Sequence, residues 1–173
     1  MRARSRREAA AAADAYLDLV GVADAAAQRP AELSLGTQQC VSLARALSME
    51  PRFLLLDEPF SQLDSLTRFE LQDTLLRVWE QSGKAVVMVT HDVDEALYLA
   101  DRLILMTDGP EATVGDVLPV PFPRPRVRAA VLGHPQYHAC RRRIIEFLEY
   151  HAHQSRPSAL DAVLRASEAT KAK

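Results

Sequence analysis

Asp57 and Glu58 stand side by side at the end of an apolar run, Phe53–Leu56, and Pro59 follows at once. Two acids in a row, after a run buried on both sides, look like a site for a metal and a water. A second apolar run, Ala85–Thr90, leads into His91 and Asp92. In an open parallel sheet, ligands sit at the carboxyl ends of the strands. The two clusters would then share a rim, and that coincidence says more than either cluster alone. Taken singly, two surface acids or a structural histidine would be the plainer readings.

The elements that must position these groups are legible from periodicity and punctuation. Ala9–Val20 is expected as a helix, with Tyr16, Leu17 and Val20 packing and Gly21 ending it. Thr37–Met49 is a second helix, with Val41, Ala44 and Leu47 at helical spacing. Phe53–Leu56 is a short continuously apolar strand, the kind covered on both faces. Leu66–Gln81 is amphipathic, with Leu71, Leu75, Val78 and Trp79 on one face and Gly83 as its stop. Ala85–Thr90 is a second strand. Asp92–Ala100 is helical, with Asp92 and Glu95 at capping-box spacing. Arg102–Met106 is a third strand, and this alternation implies crossovers and a parallel sheet. Prolines 119, 121, 123 and 125 are expected to form an extended spacer, since a PxxP ligand needs spacing three. His134–His153 is a helix that turns Ile144, Phe147 and Leu148 inward and leaves Arg141, Arg142 and Arg143 solvated. Residues 155–173 are expected as a frayed tail.

The bulk numbers exclude several classes. The chain has 173 residues, 48% hydrophobic and 25% charged, with a formal net charge of −2. That is ordinary for a folded globular protein, and it gives no global charge argument for a nucleic-acid partner. Cys40 and Cys140 make neither a disulfide framework nor a metal spacing. The arginine-rich start is interrupted by Glu8, Asp14 and Asp18, so export is not expected. No run of about 18 apolar residues is present to span a membrane.

Three segments together carry a resemblance. FLLLDEPFSQLD (53–64), preceded by LSLGTQQCVSLARAL (33–47) and followed by VVMVTHDVDEA (86–96), resembles the ATP-binding subunits of ABC transporters. The resemblance implies an α/β fold: part of a P-loop NTPase (RecA-like) parallel sheet, part of the helical subdomain, and a C-terminal helical extension. It implies Mg²⁺ at Asp57, Glu58 as general base, His91 as the switch histidine on the γ-phosphate, and Asp64 in the D-loop near a dimer interface. Asp64 would also serve as an N-cap. Ser34, Leu35, Gly36 and Thr37 match the signature loop, usually Leu-Ser-Gly-Gly-Gln. A helix N-terminus with a serine and a glycine suits a phosphate. Leu35 and Thr37 depart from that pattern, and Gln38 and Cys40 stand where the family often has basic residues. A functional but altered loop is expected.

The family's phosphate cradle, G-x-x-x-x-G-K-[ST], has no match here; Gly83-Lys84 lacks both the first glycine and the hydroxyl. The glutamine loop is missing as well. The chain is therefore expected to be a fragment, unable to hydrolyse ATP alone and folding poorly with an exposed sheet face. The expected divisions are 1–50 (signature loop and helix), 51–110 (catalytic sheet), 111–154 (connector and helix) and 155–173 (tail). Residues 90–126 and 134–148 resemble importers of nitrate, nitrite or cyanate, with sulfonate and taurine importers related. Implied partners are a second ATPase subunit, transmembrane permease subunits and, indirectly, a periplasmic binding protein, at the cytoplasmic face of the inner membrane. Two alternatives stay open: a non-hydrolytic half-subunit lending its signature loop to an intact partner, and a piece of a soluble non-transport ABC ATPase.

Overall fold

The computed structural model describes residues 5–155, so the tail expected over 155–173 lies, apart from Ser155, outside the described residues. The chain divides into two compact units, one running through His91 and the other starting at Asp92.

The first unit holds α1 (Arg6–Leu19), α2 (Leu35–Ser48), β1 (Phe53–Asp57), α3 (Ser65–Ser82) and β2 (Ala85–Val89). Each helix begins where a side chain takes over an orphaned backbone donor. Ser5 and Glu8 form a full capping box on α1. Ser34 caps α2, and Asp64 caps α3 through the Leu66 and Thr67 amides, both at 3.1 Å. Glycines end two helices in the left-handed region, Gly21 at φ +79° after α1 and Gly83 at φ +61° after α3. Leu43, Ala44 and Leu47 of α2 and Leu71, Leu75, Leu76 and Val78 of α3 are buried with Leu54, Phe60 and Leu63. β1 and β2 pair in parallel, Phe53 opposite Ala85 through Asp57 opposite Val89. Parallel pairing requires a crossover, and α3 supplies it.

The expectation that β1 is covered on both faces fails. Leu54 is buried, but Leu55 is 69% exposed and its register partner Val87 54% exposed. Phe53 and Val89 are exposed on the same face. Such an exposed apolar face is a surface on which other chains can aggregate.

The second unit holds α4 (Val93–Leu99), β3 (Arg102–Met106), β4 (Val114–Pro119), α5 (Arg128–Leu132) and α6 (Tyr137–Ser155). Here the strand expectation needs correction. β3 does not join β1 and β2 as a third parallel strand; it pairs antiparallel with β4. The turn between them is closed by the Thr107 amide donating to the Thr113 carbonyl at 2.9 Å. A hairpin of this reach brings neighbouring segments together without a crossover. β4 was hidden because Gly115 and the approaching prolines weaken its strand signal. Gly115 is required by packing, since a Cβ there would come 2.4 Å from the Phe147 ring of α6.

The proline run is not a plain spacer either. Phe122 and Arg126 are buried within it. Phe122 sits edge-on to His134, centroids 5.1 Å apart. Two of the three arginines expected as a solvated face are paired: Arg141 with Asp94 at 2.7 Å and Arg143 with Asp116 at 2.8 Å.

Candidate functional site

The site in the first unit is built by strand register. Asp57 is the last residue of β1 and lies opposite Val89, the last of β2. One residue further, the Glu58 amide donates to the Val89 carbonyl at 2.9 Å, which extends the ladder past the strands. The chain then leaves both strands at one edge. There His91 Nδ1 stands 3.0 Å from Glu58 Oε1. The two residues are 33 apart in sequence, so only the sheet can bring them together. With the proton on Nδ1, the imidazole donates to the carboxylate. Both side chains face solvent, His91 at 74% and Glu58 at 44% exposure.

Glu58 has a second distinguishing feature. Its φ is +42°, in the left-handed region that non-glycine residues seldom enter. Such a backbone costs about 1–3 kcal/mol and persists where the surroundings over-determine it. Here the Val89 carbonyl on one side and Pro59 on the other hold it. Ser61 adds a turn by donating its hydroxyl to the Glu58 carbonyl at 3.1 Å. No sequence pattern announces this backbone conformation.

Asp57 is exposed at the same edge. Among the described residues no group of three His, Cys, Asp or Glu side chains could enclose a metal ion. That donor set does not suit a protein cage. It does suit Mg²⁺, which keeps several waters and is commonly held by one or two carboxylates plus substrate phosphates.

The remaining expected residues lie at two helix starts. Ser34 Oγ accepts from the Thr37 amide at 3.2 Å and contacts Thr37 Oγ1 at 2.8 Å. Thr37, where the family pattern has glutamine, thus braces the serine. Gln38 donates to the Leu33 carbonyl at 3.0 Å and holds the loop from its other side. Leu35 is 54% exposed at the helix mouth. Gly36 is buried, and a Cβ there would meet Thr67 Cγ2 at 2.4 Å. Its smallness therefore lets α2 approach α3, a reason absent from the phosphate-loop argument. Asp64 caps α3, and its hydrogen bonds with Thr67 hold its carboxyl below the usual range. The structure brings Glu58 and His91 into contact and sets Asp57 beside them.

Comparison with known proteins follows the same lines. Residues 1–61 match the family model described as "ABC transporter". The chain is 52% identical over 135 residues to the nitrate import ATP-binding protein NrtD of Synechococcus elongatus, covering 78% of this chain and 49% of that protein. It is 47% identical over 133 residues to the bicarbonate transport ATP-binding protein CmpD of the same species, covering 77% and 48%. The chain thus spans about half the length of these curated relatives. Among solved structures, an ATP-binding cassette in a dimeric, post-hydrolysis state with ADP and Pi is similar. It superposes with a TM-score of 0.58 at 34% identity, covering 70% of this chain and 51% of that one.

Proposed function

Because this chain belongs to the ABC transporter ATP-binding proteins, we propose that it is part of the energy-coupling subunit of an importer for a small inorganic anion, nitrate or nitrite first. The observation that carries this reading is the Glu58–His91 contact at 3.0 Å, beside Asp57 at the carboxyl ends of paired parallel strands. Glu58 would accept the proton of the attacking water. His91 would stand between the Glu58 carboxylate and a terminal phosphate. Asp57 would hold Mg²⁺; when bound, this ion neutralises phosphate charge. Ser34, Leu35, Gly36 and Thr37 would cap a nucleotide held by a second subunit, with Asp64 near that partner.

The 173 residues contain no G-x-x-x-x-G-K-[ST], and in this reading other polypeptide would supply the phosphate cradle. The working assembly would add permease subunits and, through them, a periplasmic binding protein. It would place the chain peripherally, on the cytoplasmic face of the inner membrane. No described helix is long and apolar enough to cross a membrane.

The test is ATP hydrolysis by the assembled importer in proteoliposomes. Glu58→Gln should lower turnover by about 10²- to 10⁴-fold with nucleotide affinity retained. Unchanged turnover would overturn the assignment. Uptake with nitrate and bicarbonate in competition assigns the solute, since the relatives include importers of each at similar identity. A second reading has its own support in the exposed Leu35 at the mouth of α2: the chain could lend this loop in trans without hydrolysing. Adding it to an intact subunit and measuring ATPase stimulation separates the two.

A further inference from the structure

Two non-glycine residues among those described carry a left-handed backbone, Glu50 at φ +50° and Glu58 at φ +42°. Glu50 has an ordinary reason. It follows the end of α2, and its amide donates to the Leu47 carbonyl at 2.8 Å, a common way to close a helix. Glu58 follows a strand and has no helix to close. Continuing that strand would send its side chain to the face opposite Asp57. In the turn that forms instead, Glu58 Oε1 stands 3.0 Å from His91 Nδ1. The turn is pinned at both ends of the Glu58 residue. Its amide donates to the Val89 carbonyl at 2.9 Å. Its carbonyl is reached twice by Ser61, with the amide at 3.3 Å and with the hydroxyl at 3.1 Å. Ser61 in turn is carried between two buried side chains, Phe60 and Leu63. The Leu63 amide donates to the Phe60 carbonyl at 3.2 Å. The Glu58 carbonyl is therefore tied to the core of the first unit and not to a loose loop.

We propose that Ser61 is the positioning residue of the Glu58 carboxylate: its hydroxyl holds the left-handed turn, and the turn sets the carboxylate against His91 and the attacking water. Ser61 acts through the backbone of Glu58 and is not itself a catalytic residue. The proposal rests on the reading of Glu58 as general base given above. Every residue in it lies in the first unit, which runs through His91. A backbone held out of its preferred region relaxes when a pin is removed, so the hydroxyl matters more here than at an unstrained turn. A matched control is built into the same unit. Ser48, at the end of α2, also donates its hydroxyl to a carbonyl three residues back, that of Arg45, at 2.7 Å. It makes the same kind of exposed bond with neither a left-handed acceptor residue nor the site nearby in sequence.

The test has two readouts. One is ATP hydrolysis by the assembled importer. The other needs no nucleotide: the imidazole nitrogen spectrum of His91 in the full chain, identified by its loss in His91→Gln. Ser61→Ala should lower kcat about three- to tenfold, leave the KM for ATP unchanged, and shift the His91 ring signals. Ser61→Thr keeps the hydroxyl and should restore most of both. Ser48→Ala should move neither. In a Glu58→Gln background, Ser61→Ala should lower turnover no further, because the group it positions is already gone. The proposal falls on any of four results: His91 signals unmoved in Ser61→Ala, a raised KM in place of the lowered kcat, the same effects from Ser48→Ala, or a further loss in the Glu58→Gln background. If Ser61→Ala fails to fold, Ser61→Cys, which keeps the size but weakens the donor, carries the same test. Unmoved His91 signals sink the role of Ser61 and leave the reading of Glu58 standing. Unchanged hydrolysis in Glu58→Gln removes that reading, and with it any catalytic consequence of the turn.

Discussion

The two units are held together in different ways. Around the candidate site, most side-chain contacts are local. Ser34 reaches Thr37 and Asp64 reaches Thr67, each three residues on, while Glu58–His91 and the Lys84 bond to the Pro51 carbonyl each span 33 residues. The second unit is cross-braced. Arg124, Arg126, Tyr137, Arg141 and Arg143 make bonds spanning 23 to 47 residues. Both units leave one face of their strand pair apolar and bare, Leu55 and Val87 in the first and Ile104 and Val117 in the second. The difference is that the proposed chemistry sits on the unit with the fewer long-range braces. An open rim suits groups that must meet a ligand and a partner. A braced unit suits a support.

That contrast can be broken most strongly at Arg126. Arg126→Ala strips several buried carbonyls of their donor and should cost the second unit about 2–4 kcal/mol. Trp79, the single tryptophan, lies in the first unit. Its fluorescence transition should hold while amide protection beyond Asp92 is lost. A coincident loss of both would show that the units fold as one.

A smaller effect is expected at the helix contact in the first unit. Gly36→Ala drives a methyl into Thr67 and should cost about 1–3 kcal/mol by overpacking. Thr67→Ser removes the clashing methyl, so the double substitution should recover most of the loss. Thermal melts of the four proteins give the coupling. Additive losses would mean that Gly36 is needed for backbone freedom and not for space.

The smallest effect should be acid sensitivity at α4 in the second unit. Burial works to raise Asp94, but the hydrogen bonds from Tyr137 and Arg141 outweigh it and leave its carboxyl below the ordinary value. Asp116 is lowered likewise by Arg143. A depressed folded value means the contribution is full above about pH 4 and is lost as pH falls through the lowered value. Exchange at α4 should therefore quicken only in that acid range, and Asp94→Asn should flatten the profile. A loss of protection between pH 5 and 7 would contradict this.

Much of the site was legible before the structure. The apolar run before Asp57, the cap at Asp64, and the stops at Gly21 and Gly83 all depend on residues within a few positions of each other. Even the shared rim follows from two parallel strands. Three features were not legible. The left-handed backbone at Glu58 has no side-chain signature. The role of Gly36 depends on Thr67, 31 residues away. The proline run looked like an extended spacer because most acceptors of Arg124 and Arg126 are backbone carbonyls, which every residue carries.

Local physics is written into residue order: which segments coil or extend, where they start and stop, and which polar groups follow each strand. Pairing partners are not. That β3 turns back onto β4, that Arg126 closes the end of α4, and that His91 meets Glu58 at hydrogen-bonding distance are decided in three dimensions. The reason is that long-range contacts are chosen by competition for buried surface and unsatisfied backbone groups, and that competition exists only once the chain has closed on itself.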